Sequence, residues 1–225
     1  MPLQYEMTAE NQLLIFMKYP EEGKVKTRLA RYLGTKSAAV LYKRMVMHLM
    51  RKLDDTGPKG PFSVRMVFSP PERETDMKNW LGSGRIYMPQ RGEDLGERMD
   101  NAFRDVFAEG CGKAVIIGCD IPDLSPELII KAFDSLDSAG AVIGPTLDGG
   151  YYLIGFQRVK FVPQIFRGIP WGGKDVFKKT IGKFPSDCNV SILPQLRDLD
   201  TFEDLLAFQQ KSGHETGPSM QGLFS

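Results

Sequence analysis

An α/β domain with a mostly parallel sheet covered on both faces is the fold class this sequence predicts, and three observations predict it. Short continuous apolar runs, such as Leu13-Leu14-Ile15-Phe16-Met17 and Ala114-Val115-Ile116-Ile117, read as buried central strands. Amphipathic helical patterns lie between such runs, so strands and helices alternate. The chain has 225 residues and 42% hydrophobic content, enough for one well-buried core.

Leu13 to Met17 is the first strand. The polar segment 18–28 follows and holds Pro20 and Gly23. Ala39, Tyr42, Met45, Val46, Leu49, Met50 and Leu53 then recur at spacings of three and four, which predicts a long helix. That spacing makes the methionines from Met45 to Met50 core residues, not a cofactor box. Residues 54–61, rich in Gly and Pro, form a turn region. Phe62 to Phe68 is a second strand, ended by Pro70 and Pro71. A weaker helix covers Glu72 to Trp80, and Arg85 to Met88 is a short strand.

Asp94 to Ala108 is an amphipathic helix carrying Leu95, Met99, Ala102, Phe103 and Val106. Ala114 to Gly118 is the clearest buried strand. Ser125 suits the N-cap of the next helix and Pro126 its first position. Strands at Ala141 to Gly144 and Tyr151 to Phe156 flank the Asp148-Gly149-Gly150 turn. A helix near Lys174 to Ile181 and a strand near Val190 to Leu193 follow. Thr201 to Gln209 is the last helix, and Thr201 with Asp204 fits a permissive capping box. Residues 1–210 therefore read as one domain. Residues 211–225 are polar, lack an apolar period and read as a C-terminal tail.

Composition excludes several classes of function. With 29 basic and 28 acidic residues, net charge +1, no global field recruits nucleic acid or an anionic membrane. An anionic small molecule must be met by a local basic cluster. Cys111, Cys119 and Cys188 show no C-x-x-C spacing, which fits a reduced, cytoplasmic setting. His48 and His214 are the only histidines, leaving little room for a His-rich zinc site or a Ser-His-Asp triad. Any metal falls to carboxylates, which points to Mg²⁺ or Mn²⁺. The N-terminus lacks a signal-peptide layout, and no apolar run reaches the ~20 residues that span a bilayer. Oligomeric state is not legible.

Lys18, Lys24, Lys26 and Arg28 place four cations within the loop 18–28, directly after the first strand. Charge alone would make this a solvated loop. Its position changes the reading, because ligands of parallel α/β sheets bind at the carboxyl ends of strands near a topological switch. Gly23 can shape a tight turn, and loop amides can face phosphate oxygens. Lys18, Gly23, Lys26, Thr27 and Arg28 are therefore candidate phosphate-binding residues, with Gln90 as a further candidate nucleotide contact. This is no Walker loop, and the near miss at 168–175 is discounted because Asp175 replaces the hydroxyl residue.

Asp120 ends the best strand and can hold a divalent ion that bridges two phosphates. Asp200 either completes a carboxylate pair with Asp120 or caps the last helix. Asp148 can bind a sugar hydroxyl or act as a base. Gly149 and Gly150 either form an ordinary hairpin or let a substrate approach the backbone. Gln90, Asp94, Glu97 and Arg98 form either a polar rim or ordinary helix faces, with Glu97 closer to the latter. Trp171 either stacks on a ring or belongs to the core. Cys119 reads as a small buried residue.

Taken in order, these segments resemble one family. The matching stretches are Phe16 to Pro20 with Gly23 to Leu29; Gln90 with Asp94 to Arg98; Gly118 to Pro122; Gly144-Pro145 and Asp148 to Leu153; and Asp198 to Thr201 with Asp204-Leu205. Over residues 12–208 the chain resembles the DUF2064 or glycosyltransferase A-like family of the nucleotide-diphospho-sugar transferase superfamily. The resemblance implies a three-layer α/β/α Rossmann-like fold with a mixed sheet. It implies a nucleotide under the N-terminal half of the sheet, Mg²⁺ or Mn²⁺ on Asp120, and Asp200 as second ligand. It also implies a phosphate loop carrying Lys26 and Arg28. The chain departs from the family pattern twice. Ile121-Pro122 stands where Cys-Pro is frequent, and Trp171-Gly172-Gly173 stands where Trp-Ser-Thr is frequent, which removes two hydroxyls from the acceptor side.

Two reactions use these parts. A metal-dependent glycosyltransferase passes a sugar from a nucleotide-sugar donor to a small-molecule acceptor, with Lys26 and Asp148 as catalytic groups. A nucleotidylyltransferase joins a nucleoside triphosphate to a sugar phosphate or phospho-acid and releases pyrophosphate. A non-catalytic nucleotide-binding module is a third reading, disfavoured by two acidic positions at separate strand ends.

Overall fold

The computed structural model describes residues 11–55 and 62–214. Among the described residues seven strands form one sheet: β1 (Asn11–Lys18), β2 (Ser63–Ser69), β3 (Ile86–Pro89), β4 (Lys113–Gly118), β5 (Ala141–Pro145), β6 (Tyr151–Gln157) and β7 (Val190–Ile192). Their order is β3-β2-β1-β4-β6-β5-β7. β1 pairs in parallel with both β2 and β4, and β2 with β3. β6 runs antiparallel between β4 and β5, and β7 pairs in parallel with β5. The sheet is thus mixed and mostly parallel, with one reversed strand.

Alternation along the strands divides the core. Leu13, Ile15 and Met17 of β1 and Val115 and Ile117 of β4 face one side. There they meet the apolar stripes of α2 (Thr35–Asp55), α3 (Glu74–Leu81) and α5 (Pro126–Ser135). Leu14 and Ile116 face the other side, against α4 (Leu95–Ala108) and α6 (Val176–Ile181). Helices α1 (Thr27–Leu33) and α7 (Phe202–His214) pack with α2 around Leu29, Leu199 and Leu205. This gives three layers, and burial of both sheet faces explains the unbroken apolar runs of β1 and β4.

Local chemistry sets the helix starts. Ser125 accepts from the Leu128 amide at 3.3 Å, with Pro126 at the first helical position. Asp94 accepts from the Glu97 amide at 2.9 Å, and Glu97 returns to the Glu93 amide at 2.9 Å, so Glu97 belongs to the helix start. Thr201 Oγ1 and Asp204 make the expected reciprocal cap of α7. Three differences from the expected elements appear. The loop 18–28 ends early, because its last two residues already open α1. The helix expected over Glu72 to Trp80 begins as a 3₁₀ turn over Pro71–Arg73. The last helix runs through His214, beyond the expected tail boundary. Most of the turn expected over residues 54–61 lies outside the described residues, as do residues 215–225 of the tail.

Candidate functional site

The chain leaves β1 for β2 on one side, and β4 lies on the other, so β1 and β4 flank a topological switch. At their carboxyl ends lies a cleft of about 490 Å³. Lys18, Lys24, Lys26 and Thr27 line it from the first loop, Gln90 and Arg98 from the α4 side, and Asp120 and Asp200 from the far side.

Lys26 is its central feature. Among the described residues it is the only non-glycine with positive φ, at φ 48° and ψ 44°. A left-handed lysine costs about 1–2 kcal/mol. Its side chain is 2% exposed, and its Nζ lies 2.9 Å from Asp120 Oδ1 and 3.7 Å from Asp200 Oδ1. Burial acts to lower the ammonium pKa, but the close negative charge of Asp120, then that of Asp200, outweighs it. Lys26 titrates above the ordinary lysine value. Arg28 Nη1 reaches Asp200 Oδ2 at 3.3 Å from the exposed side. The loop carrying Asp200 is fixed to β4 by Leu199 N donating to Asp120 O at 3.0 Å.

Tyr42 ties the two strand ends together. Its hydroxyl accepts from the Lys18 amide at 2.9 Å and lies 3.2 Å from Cys119 Sγ. Burial pushes the Cys119 thiol up to about 12, so it is a packed thiol and not a nucleophile. Gln90 Nε2 donates to Met17 O at 3.3 Å and Val67 O at 3.0 Å. These bonds lock the amide across β1 and β2. Arg98 Nε donates to Gly92 O at 3.0 Å, which anchors its guanidinium beside the cleft.

Other expected site residues lie elsewhere. Gly23 shapes the loop at φ 76° without lining the cleft. Asp148 Oδ1 accepts from Thr146 Oγ1 at 2.5 Å and from the Gly150 amide at 2.9 Å, closing the β5–β6 turn. Gly149, at φ 91°, sits under the loop before α6, where a Cβ would come within 1.8 Å of Lys174 O. Trp171 packs on Gly96 and meets the Tyr151 ring edge-on at 6.3 Å. None of Asp148, Gly149, Gly150 and Trp171 lines the cleft; Tyr151, the residue after the turn, does. Gly172 takes φ 90°, a conformation that suits glycine.

Sequence reasoning missed Tyr42 and Tyr151. Both carry helix or strand periodicity that reads as core, and no local signal marks a hydroxyl that bridges two strand ends. Asp198, close to the cleft but not lining it, is half-buried. Burial, then the charge of Asp148, pushes its carboxyl from 3.8 up to about 6. A carboxyl raised in the folded state favours folding below its unfolded pKa and loses that contribution as pH rises to the folded value. The contribution of Asp198 to stability should therefore fall from pH 4 towards pH 6 in the native protein. Chemical denaturation across that range should show the fall reduced in Asp198→Asn.

Asp120 and Asp200 fit a hard divalent ion in part. Both offer carboxylate oxygens to the same point, now taken by the Lys26 ammonium. Among the described residues no group of three or more His, Cys, Asp or Glu forms a metal cage. Such a pair suits an ion that completes its shell with substrate phosphates, as Mg²⁺ commonly does.

The DUF2064 family, described as an uncharacterized protein conserved in bacteria, matches residues 53–173. The chain belongs to this family. The match includes Gln90, Asp120 and Asp148 and stops short of Lys26 and Asp200. No curated protein matches the chain in sequence. Among solved structures, a protein of Desulfovibrio desulfuricans G20 named "putative nucleotide-diphospho-sugar transferase" is 37% identical, with TM-score 0.87 over 95% of this chain and 94% of that one. CMP:2-keto-3-deoxy-manno-octonic acid synthetase complexed with CTP is 11% identical, with TM-score 0.55 over 91% and 98%. Rv0371c of Mycobacterium tuberculosis in complex with manganese is 14% identical, with TM-score 0.52 over 88% and 97%. The last two share the fold with this DUF2064 chain. Among the described residues no helix is long and apolar enough to cross a membrane.

Proposed function

We propose that this DUF2064 protein is a metal-dependent transferase that takes a nucleotide-diphospho-sugar in the β1/β4 cleft and passes the sugar to a small-molecule acceptor. One observation carries the reading. A cleft at the switch point gathers Lys18, Lys24, Lys26 and Arg98 around Asp120 and Asp200, the chemistry needed for a diphosphate and its accompanying cation. The kinship with the Desulfovibrio protein supports it.

In this reading Asp120 and Asp200 hold Mg²⁺ or Mn²⁺, which would stabilise the charge developing on the departing diphosphate. Lys18, Lys26, Thr27 and Arg28 face the phosphates, with Gly23 shaping their loop and Gln90 bracing the cleft floor. The acceptor approaches from the β5–β6 turn. Asp148 keeps Oδ2 for an acceptor hydroxyl there, while Gly149, Gly150 and Trp171 support that wall from behind.

The cation excess favours a second reading, nucleotidylyl transfer from a nucleoside triphosphate. Lys18, Lys24 and Arg98 all line the cleft outside the Lys26 ion pairs, and a triphosphate uses more of them than a diphosphate does. A thermal-shift screen with Mn²⁺ separates the two. Nucleotide sugars should raise the unfolding midpoint, with about 2.7 kcal/mol of stabilisation at ligand 100-fold above Kd. Stabilisation by triphosphates alone would sink glycosyl transfer.

A further inference from the structure

We propose that Lys26 is a tethered counter-cation, which holds the Asp120–Asp200 pair until a divalent ion arrives already bound to a nucleotide's phosphates. The ligand is then the metal–nucleotide chelate, not free metal followed by nucleotide. This rests on reading the cleft as a metal–nucleotide site.

The geometry carries the argument. The Lys26 side chain is 2% exposed, whereas those of Asp120 and Asp200 are 48% and 32% exposed. The cation is therefore the inner member of the cluster and the carboxylates the outer ones. Its backbone takes the left-handed conformation in the first loop, at the residue before α1. Arg28 closes on the remaining Asp200 oxygen. Two carboxylates are thus matched by two cations, and a free divalent ion meets no net negative charge.

Displacing Lys26 has a consequence. A buried ammonium deprived of its carboxylates is strongly unfavourable. It can leave them only if another anion replaces them, and a phosphate arriving with the metal is such an anion. Lys18, Lys24 and Arg98 draw the same phosphates into the cleft. Metal and phosphate therefore bind together. Lys26 passes from the carboxylates to the phosphate oxygens as the metal takes its place.

Mn²⁺ binding, read from the electron paramagnetic resonance of free Mn²⁺, tests this without any assay of turnover. Native protein, Lys26→Met and Lys26→Arg are titrated without nucleotide. Native protein is then titrated with the diphosphates of adenosine, guanosine, uridine and cytidine in turn, each corrected for Mn²⁺ held by nucleotide in buffer. Removing the tethered charge should tighten Mn²⁺ binding in Lys26→Met by roughly tenfold or more over native protein, because two half-exposed carboxylates are released. Lys26→Arg should stay near native affinity. Equal or weaker Mn²⁺ binding in Lys26→Met overturns the proposal. Should Lys26→Met not fold, native protein decides. Tight Mn²⁺ binding by native protein without nucleotide, unchanged by a diphosphate that itself binds, overturns the proposal, and clear tightening by a diphosphate supports it. Failure of every nucleotide to bind would instead remove the function proposed above, while the nucleotide-free comparison would still decide the role of Lys26.

Discussion

Gly149→Ala is expected to unfold well below the native protein. An alanine Cβ at this position would lie 1.8 Å from Lys174 O and 2.6 Å from Lys174 C, both backbone atoms with no rotamer to yield. The residue also takes φ 91°, which side chains rarely adopt. Relief requires the loop before α6 to lift, which breaks the hydrogen bond from Phe177 N to Gly149 O at 2.8 Å. Strain, lost packing and lost hydrogen bonding together should cost about 3 kcal/mol or more. For a chain of this size that lowers the midpoint by roughly 6–12 °C. Calorimetry checks it, with Gly118→Ala as control. A Cβ at Gly118 meets nothing within 4 Å, so this variant should unfold within about 1 kcal/mol of native.

The second large effect is on function. Asp120→Asn keeps the side-chain shape and removes the charge that pairs with Lys26 at 2.9 Å. Mn²⁺-dependent nucleotide binding should weaken by roughly 100-fold or more, since even supporting residues of metal sites contribute 10–100-fold. Stability should also fall, because the ammonium keeps only Asp200 at 3.7 Å. About 1–3 kcal/mol is expected, below the 3–5 kcal/mol of a fully buried pair, because Asp120 is half-exposed. Calorimetric titration with nucleotide reads the first effect and denaturant unfolding the second. Binding equal to native in Asp120→Asn would remove Asp120 from the metal site.

Much of the fold was legible in the sequence because burial on both faces leaves a plain signature. β1 and β4 read as strands from continuous apolar runs, and α2 and α4 from their stripes. The caps at Ser125 and Thr201 marked helix starts because side-chain oxygens there bond nearby amides; the cap at Asp94 emerged only in the structure. The sheet's one reversed strand was not legible from periodicity, since an antiparallel β6 buried on both faces reads like a parallel one. Only the family resemblance pointed to a mixed sheet. α1 was hidden because its seven residues hold too little apolar period beside the charges of the loop.

The candidate site was partly legible. Asp120 follows from its place at a strand end, and Lys26 from its loop. That Lys26 turns inward between Asp120 and Asp200 depends on a left-handed backbone, for which lysine gives no sequence signal. Glycines at 149 and 172 were visible as residues, but their reason was not. The loop before α6 lies far along the chain from Gly149, and only the folded structure brings it against the turn. Tyr42 was hidden for a similar reason, since its ring obeys helix spacing while its hydroxyl serves two strand ends.

The most direct measurement is the anomalous difference density of crystals grown with Mn²⁺ and a nucleotide sugar. One manganese peak is expected in direct contact with the Asp120 and Asp200 carboxylates, with phosphates facing Lys18 to Arg28 and Lys26 Nζ against phosphate oxygen. Manganese and phosphate bound away from Asp120, for instance in the separate cleft lined by Asp94, Glu97, Asp100 and Arg167, would contradict it.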